Sequence, residues 1–509
     1  MIIKTSAALC TAILMTAQSA AATPKMINDE LQLNLQEYVG LVTRQNIQIK
    51  TRKLDWKDSK FSIEIEKADF DPVLSLSANR NANRRLNSVQ QQLSLSSISE
   101  FKEQNTEYDV AISKKMQLGG TLKFSLNLEA LDNNIQPDFI RGRESVVFAG
   151  LTMTQPLLQN RGIGTTAPLK VAQIGEKLAF QGYRNARSNV VYQAINGYWD
   201  LYEADFVTSL REQTVNKLGQ LLKINQRRAS LGNVPATDVL LLKSRLANAQ
   251  SRLQLAKLQQ EDSLNTAKYF MGVSSQTESY SVRTKNSGLR KELAKLIADH
   301  KSNRPDVDTA MSGFYAGNAD YLSSLMRAEQ ENLRLDYAGN QALPKLDLTA
   351  SYGVNGLGTG SSDAIDNAFN GETRANWSVG LNFSTPLNNR KGKNSVSSAS
   401  LKKRQALNDI EETKIKLGNH LVAMIQGLDL KNKNIKALKR AWDSDQQTYN
   451  LMRNKYKNGN SSIENVIESE QQLTVAKEQV LLSMTNYQKS LFLVKQIDGS
   501  LFSHFNIDE

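Results

Sequence analysis

Pro72-Val73-Leu74-Ser75-Leu76-Ser77-Ala78 returns later in the chain as Pro344-Lys345-Leu346-Asp347-Leu348-Thr349-Ala350, each time a proline followed by alternating apolar and polar residues. Working outward from this pair, two more landmarks recur in the same order. Gly150-Leu151, Pro156-Leu157 and Gly162 come back as Gly380-Leu381, Pro386-Leu387 and Gly392, and Gly232-Asn233 with Val239 comes back as Gly459-Asn460 with Val466. Ordered recurrence at nearly constant offsets is the signature of an internal duplication. The first copy carries an insertion between Pro72 and Pro156 that the second lacks.

Each copy alternates between two patterns. Pro72 to Arg80, Ser145 to Gln155, Pro344 to Tyr352 and Trp377 to Thr385 repeat with period two, as strands with one apolar and one polar face do. The insertion holds a further candidate hairpin: Tyr108, Val110 and Ile112, a Gly119-Gly120 turn, then Leu122, Phe124, Leu126 and Leu128. Period two alone fits this hairpin to the same sheet or to an extension outside it. The stretch from Val354 to Asn376, rich in Gly, Asn and Ser, reads as a polar loop of the kind that joins barrel strands.

The remainder reads as long helix. From Pro168 to Ser230 and from Asn394 to Lys457 no proline interrupts, enough for roughly 90–95 Å of helix each at 1.5 Å per residue. In the second stretch, Leu407, Ile410, Leu417, Leu421, Met424, Leu428, Ile435, Leu438, Trp442, Tyr449, Met452 and Tyr456 form a heptad seam. The returning helices alternate large and small seam residues. Val466, Leu473, Val480, Tyr487 and Val494 enclose Ser469, Ala476, Ser483 and Ser490, and Leu242, Ala249, Ala256 and Ser263 take the matching places in the first copy. Small seam residues let helix backbones approach closely, which predicts tightly packed antiparallel pairs. At the hairpin tips, Gly232 and Gly459 are placed to end helices in the left-handed conformation. Ser461 with Glu464 forms a potential capping box, and Pro235 sits in the corresponding first turn of the other copy.

Composition removes whole classes of chemistry. The 509 residues include one cysteine, Cys10, and three histidines, His300, His420 and His504, none in a recognisable motif. Cys/His zinc sites, disulfide frameworks and cysteine nucleophiles are therefore excluded, and no cofactor is expected. Lys4, the apolar stretch from Thr5 to Thr16 and Ala20-Ala21-Ala22 read as a secretory signal over residues 1–22, which would carry Cys10 away on cleavage. The net charge of +12 is not focused into a basic, aromatic-interleaved patch, so no nucleic-acid partner is expected. The run from Lys431 to Lys436 reads as a solvated helix face.

These landmarks resemble the outer-membrane efflux duct (TolC-like) family over nearly the whole mature chain. The resemblance is carried by the prolines before the strands, Gln155-Pro156-Leu157, Leu231-Gly232 through Thr237-Asp238-Val239, Asn458-Gly459 through Val466, and Asn303-Arg304-Pro305-Asp306. It implies an internally duplicated α+β membrane protein, in which long antiparallel coiled-coil helices form a periplasmic α-barrel and strands join a trimeric outer-membrane β-barrel. The implied domains are a signal at 1–22, a first repeat at 23–272, a linker or equatorial segment at 273–302, a second repeat at 303–498 and a tail at 499–509.

The implied activity is passive, non-enzymatic export through a homotrimer in outer-membrane lipid, serving an inner-membrane transporter and a periplasmic adaptor in tripartite efflux or type I secretion. A trimeric structural or adhesive stalk is the alternative, and heptads alone would also serve it. By the same resemblance Thr237, Asp238, Tyr456, Ser461, Asn465 and Glu468 form the periplasmic gate, with Tyr456 latching to Asp238 and Glu468 supplying an acidic ring. Ser461 stands where the family's pattern has an arginine and Asn465 where it has an aspartate, which implies a closed state less firmly held. Leu231, Gly232, Asn233, Asn458, Gly459 and Asn460 would face the adaptor. Two strand pairs per chain give 12 strands in a trimer, and inclusion of the hairpin at residues 107–130 gives 18.

Overall fold

The computed structural model describes residues 26–27, 30–95, 98–135, 143–274, 281–284, 291, 294–295, 297–370 and 375–507. The signal at 1–22, with Cys10, lies outside the described residues, as does part of the 273–302 linker. The chain forms two compact units. One takes the residues up to Lys50, Arg187–Ala310 and Leu421 onward, and the other takes Thr51–Ala186 and Met311–His420. Both sequence repeats contribute to both units, so the duplication divides the sequence and not the space.

The second unit is built on a six-stranded antiparallel sheet. Short strands β1 (Met26–Ile27), β2 (Glu30–Leu33) and β7 (Ser281–Thr284) pair in the first unit, and the strands of this sheet are β3 (Val73–Leu86), β4 (Glu100–Lys115), β5 (Thr121–Asn133), β6 (Arg143–Pro156), β8 (Lys345–Gly358) and β9 (Ala375–Ser384), in that spatial order. The inserted hairpin is therefore β4 and β5, lying within the sheet between the two strands of the first repeat. It turns through Gly119 at φ +95°, a conformation open to glycine, with Gly119 N–H donating to Met116 O and Met116 N–H to Gly120 O.

Register decides what this sheet can do. Leu74, Ile112, Phe124, Leu151, Tyr352 and Trp377 are successive cross-strand partners over all six strands, and the next row on the same face is Leu76, Val110, Leu126, Ala149, Val354 and Ala375. Cross-strand partners project to the same side, so one face is a continuous apolar belt. The other face carries Ser75, Asn79, Asp109, Asn127, Thr152, Ser351 and Asn382. Its polar groups are bonded across strands: Ser77 Oγ donates to Asp109 (3.1 Å), Asn105 Nδ2 to Glu129 (2.6 Å) and Asn127 to Asp109, while Ser351 and Ser378 share a bond of 2.7 Å.

The Val354 to Asn376 stretch is not only loop, as its composition suggests. It contains α9 (Ser361–Phe369), whose Ala364 and Ala368 pack on Val147 with Leu126, Leu128 and Val354 at one margin of the belt. Apolar residues at helical spacing outweigh the flanking Gly and Ser. Gly356 makes room for this helix, because a Cβ there would stand 1.9 Å from Ala364 O.

The first unit is helical. α4 (Ile163–Ser230) returns as α5 (Ala236–Met271), and α10 (Arg390–Lys457) returns as α11 (Ile463–Ile497). Residues 187–230 of α4 and 421–457 of α10 belong to this unit. The expected seam on α10 is buried there at Leu421, Leu428, Ile435, Tyr449 and Tyr456, whereas Leu407, outside this unit, is exposed. On α11, Val466, Ser469, Leu473, Ala476, Val480, Tyr487, Ser490 and Val494 are all buried, the alternation of large and small that the sequence predicts. Lys431 departs from the solvated face expected of it. Its ammonium bonds Ser490 on α11, and burial lowers its pKa below the ordinary lysine value. In the same unit α1 (Leu35–Gln45) opens with a capping box between Asn34 and Glu37, and Tyr38, fully buried, donates to Ala267 O at 3.2 Å.

Candidate functional site at the helix tips

The two tips are built alike. Gly232 (φ +68°) and Gly459 (φ +78°) take the left-handed conformation. The following asparagines close each helix end, Asn233 N–H donating to Arg228 O and Asn460 N–H to Lys455 O, both at 2.9 Å. The helix starts differ from expectation by one position. Ser462, not Ser461, caps α11 by accepting from Asn465 N–H (3.3 Å), and the Asn465 side chain reaches back to Ser461 Oγ (3.3 Å), so Glu464 takes no part in a box. Pro235 is the N-cap of α5 and not a residue of its first turn, and it has no side-chain capping bond. Leu231, Gly232, Asn233, Asn458, Gly459 and Asn460 are all exposed.

Behind the tips the two hairpins share one core of Leu218, Leu242, Ala249, Tyr449, Tyr456, Ile463, Val466, Ile467 and Leu473. Tyr456 belongs to this core. Its hydroxyl donates to Asn225 Oδ1 of α4, where the sequence reading has Asp238 as its partner, and the Arg228 guanidinium lies 5.6 Å from its ring. Asn225 is fully buried and anchored in turn by donating to Leu221 O at 2.9 Å. A tyrosine on the apolar seam can reach only what faces the seam. Thr237 is exposed and Asp238 half-buried, both in the opening turn of α5. Glu468 is exposed and, with Glu464, Asp445 and Arg245, lines a cavity of about 670 Å³. The six residues expected at the gate thus divide: Tyr456 is interior, Ser461 and Asn465 bond each other, and Thr237, Asp238 and Glu468 remain near solvent.

Further along the same helices, charged residues that the sequence reading passed over tie the bundle together. Glu470 is buried and held by Lys217 and Thr214 on α4 and Thr474 on its own helix, each at 3.3 Å. Arg211 meets Glu478 at 2.5 Å. Lys489 bridges Asp200 (2.6 Å) and Glu203 (3.2 Å), and these carboxylates raise its pKa against the opposing effect of burial. Arg304, from the Asn303-Arg304-Pro305-Asp306 motif, pairs with Asp429 at 3.4 Å, while Asp306 accepts from Thr309 N–H at 3.1 Å near the start of α7 (Val307–Gly317).

His300 completes this group. Its Nδ1 lies 2.7 Å from Tyr487 Oη and its Nε2 2.7 Å from Asp429. Neutral imidazole satisfies both, with Nε2–H donating to the carboxylate and Nδ1 accepting from the phenol. The bond from His300, aided by Arg304, holds the Asp429 carboxyl below its ordinary value. A depressed carboxyl contributes stability above its ordinary pKa, and that contribution is lost as pH falls through the folded value. Asp429→Asn is therefore expected to lower Tm at neutral pH, with the gap to wild type narrowing below about pH 4. Thermal melts at pH 7 and pH 3 test this, and a gap that widens in acid would contradict it.

With this geometry in view, residues 315–500 match the model of the family described as outer membrane efflux protein. Among curated proteins none matches in sequence. Among the solved structures similar to this chain, three are aligned over most of their length. The Campylobacter jejuni CmeC outer membrane channel is 16% identical, with a TM-score of 0.63 over 92% of this chain and 86% of that one. A membrane protein from Pseudomonas aeruginosa is also 16% identical, with a TM-score of 0.66 over 91% and 90%. The open state of the Neisseria gonorrhoeae MtrE outer membrane channel is 13% identical, with a TM-score of 0.61 over 97% and 99%. At these identities the likeness is one of fold.

Proposed function

We propose that this chain is a TolC-like member of the outer membrane efflux protein family and that it is the passive exit duct of a tripartite efflux or type I secretion system. It is an outer-membrane protein extending into the periplasm, and its homotrimer would take substrates from an inner-membrane transporter through a periplasmic adaptor to the outside. One observation carries the reading. The six-stranded sheet is apolar on one face and polar on the other, and both of its edge strands, β3 and β9, are exposed along their whole length. An open edge in lipid leaves backbone groups unpaired, so such a sheet must close with others. A stalk has no need of a sheet with an apolar outside and a hydrogen-bonded polar inside.

The helix tips are the gate in this reading, with Leu231, Gly232, Asn233, Asn458, Gly459 and Asn460 offered to the adaptor. Thr237, Asp238 and Glu468 line the aperture, Ser461 and Asn465 hold the start of α11, and Tyr456 bonded to Asn225 holds the closed packing. Tyr456→Phe leaves the fully buried Asn225 oxygen without its donor, a loss of about 1–3 kcal/mol. In planar bilayers this is expected to raise open probability roughly 5–150-fold. Glu468→Gln is expected to reduce cation preference while leaving open probability unchanged. Unaltered gating and selectivity in both variants would remove the assignment, and absence of any conductance in wild type would remove the duct.

A further inference from the structure

The place of the inserted hairpin has a consequence for the bore. We propose that three copies close an eighteen-stranded barrel, with β3 of one copy pairing to β9 of the next, and that the outer-membrane end of the duct is therefore a wide pore of porin size. This rests on the homotrimer reading above.

Three observations on the sheet support it. β4 and β5 are paired without interruption to β3 and β6, from Val73↔Ser113 to Leu86↔Glu100 and from Thr121↔Thr154 to Asp132↔Arg143, so they are full members of the sheet. Their apolar residues lie in the rows of the duplicated strands: Ile112 and Phe124 stand between Leu74 and Leu151, and Val110 and Leu126 between Leu76 and Ala149. A hairpin held in water outside the membrane has no reason to continue that belt. Finally, six consecutive antiparallel strands leave β3 and β9 running in opposite directions, so β9 meets the β3 of a second copy antiparallel, as barrel closure requires.

The edges select a second copy as the partner. Val73, Leu74 and Leu76 at one edge and Trp377, Val379, Leu381 and Phe383 at the other are exposed on the single chain. Joining the edges makes one belt round the barrel and pairs the free backbone groups of both. Six strands fall short of the eight that the smallest barrels use, whereas 18 lie well inside the usual range.

The bore follows from spacing. Strands about 4.8 Å apart and tilted by about 40° give a backbone diameter of about 36 Å for 18 strands and about 24 Å for 12. Lining side chains take roughly 10 Å from either, leaving about 26 Å or about 14 Å. The narrow part of the conduit is then the helical gate, and the membrane segment passes whatever the gate admits, including bulky solutes.

Two measurements on the full-length chain test this. Ser77→Cys combined in turn with Asn376→Cys, Ser378→Cys, Gly380→Cys or Asn382→Cys is expected to give at least one pair that links copies into dimers and trimers on oxidation in outer membranes. Neutral polymers of about 10 Å hydrodynamic radius added from the extracellular side are expected to enter the barrel and change the conductance, which an opening of about 14 Å would forbid. Linked trimers that exclude all polymers above about 7 Å would overturn the eighteen-stranded barrel and leave the trimeric duct standing. No linkage by any pair, with no trimers in the membrane, would instead remove the homotrimer itself.

Discussion

Tyr487→Ala is expected to lower the unfolding free energy of the helical unit by about 3–5 kcal/mol, the usual cost of truncating a buried aromatic residue to alanine. Tyr487 is fully buried on the α11 seam, its ring is 5.7 Å from that of His300, and its hydroxyl bonds His300 Nδ1. Truncation removes the packing and also leaves the imidazole nitrogen without its donor. Burial, together with the nearby Asp429 charge, pushes the Tyr487 phenol up to about 12, so it stays protonated across the physiological range. Tyr487→Phe keeps the ring and loses only the bond, for a smaller cost of about 1–3 kcal/mol. Guanidinium denaturation of the detergent-solubilised protein, followed by helical circular dichroism, separates the two. An alanine variant no less stable than the phenylalanine variant would show that the seam is not closed around this ring.

Tyr352→Arg should abolish heat-sensitive trimers in the outer membrane. Tyr352 stands in the middle of the apolar belt between Leu151 and Trp377, and arginine at the midplane of a barrel's lipid face costs about 2–4 kcal/mol. Three copies place three such charges in one barrel. Ser351→Arg makes a control one residue away, because Ser351 lies on the polar face bonded to Ser378. If the apolar face meets lipid, the Ser351 variant assembles and the Tyr352 variant does not. The reverse result would mean that the sheet is turned inside out.

The large features were legible in the sequence because they depend on periodicity. Period-two alternation located all six strands of the sheet, and the proline-free stretches located α4 and α10 to within a few residues of their ends. Gly232 and Gly459 were readable as helix terminators, since a left-handed position favours glycine wherever it occurs. What escaped were contacts between elements far apart in sequence. Asn225 interrupts an apolar stripe with Leu218, Leu221 and Leu222, a sign that it faces the core, but nothing local says that its partner is Tyr456. Glu470 and Asp429 likewise look like ordinary helix-surface carboxylates until Lys217 and His300 are brought against them. The helix α9 was hidden by its glycine- and serine-rich flanks.

By itself, then, the sequence determined a duplicated chain of amphipathic strands and long seamed helices, because faces and periods are local properties of the covalent order. Only the tertiary structure decided that the inserted hairpin stands in line with the other strands and that Tyr456 turns to Asn225. Those outcomes depend on which backbone edge meets which and on which side chains a shared core brings within hydrogen-bonding reach. No local pattern encodes such distances.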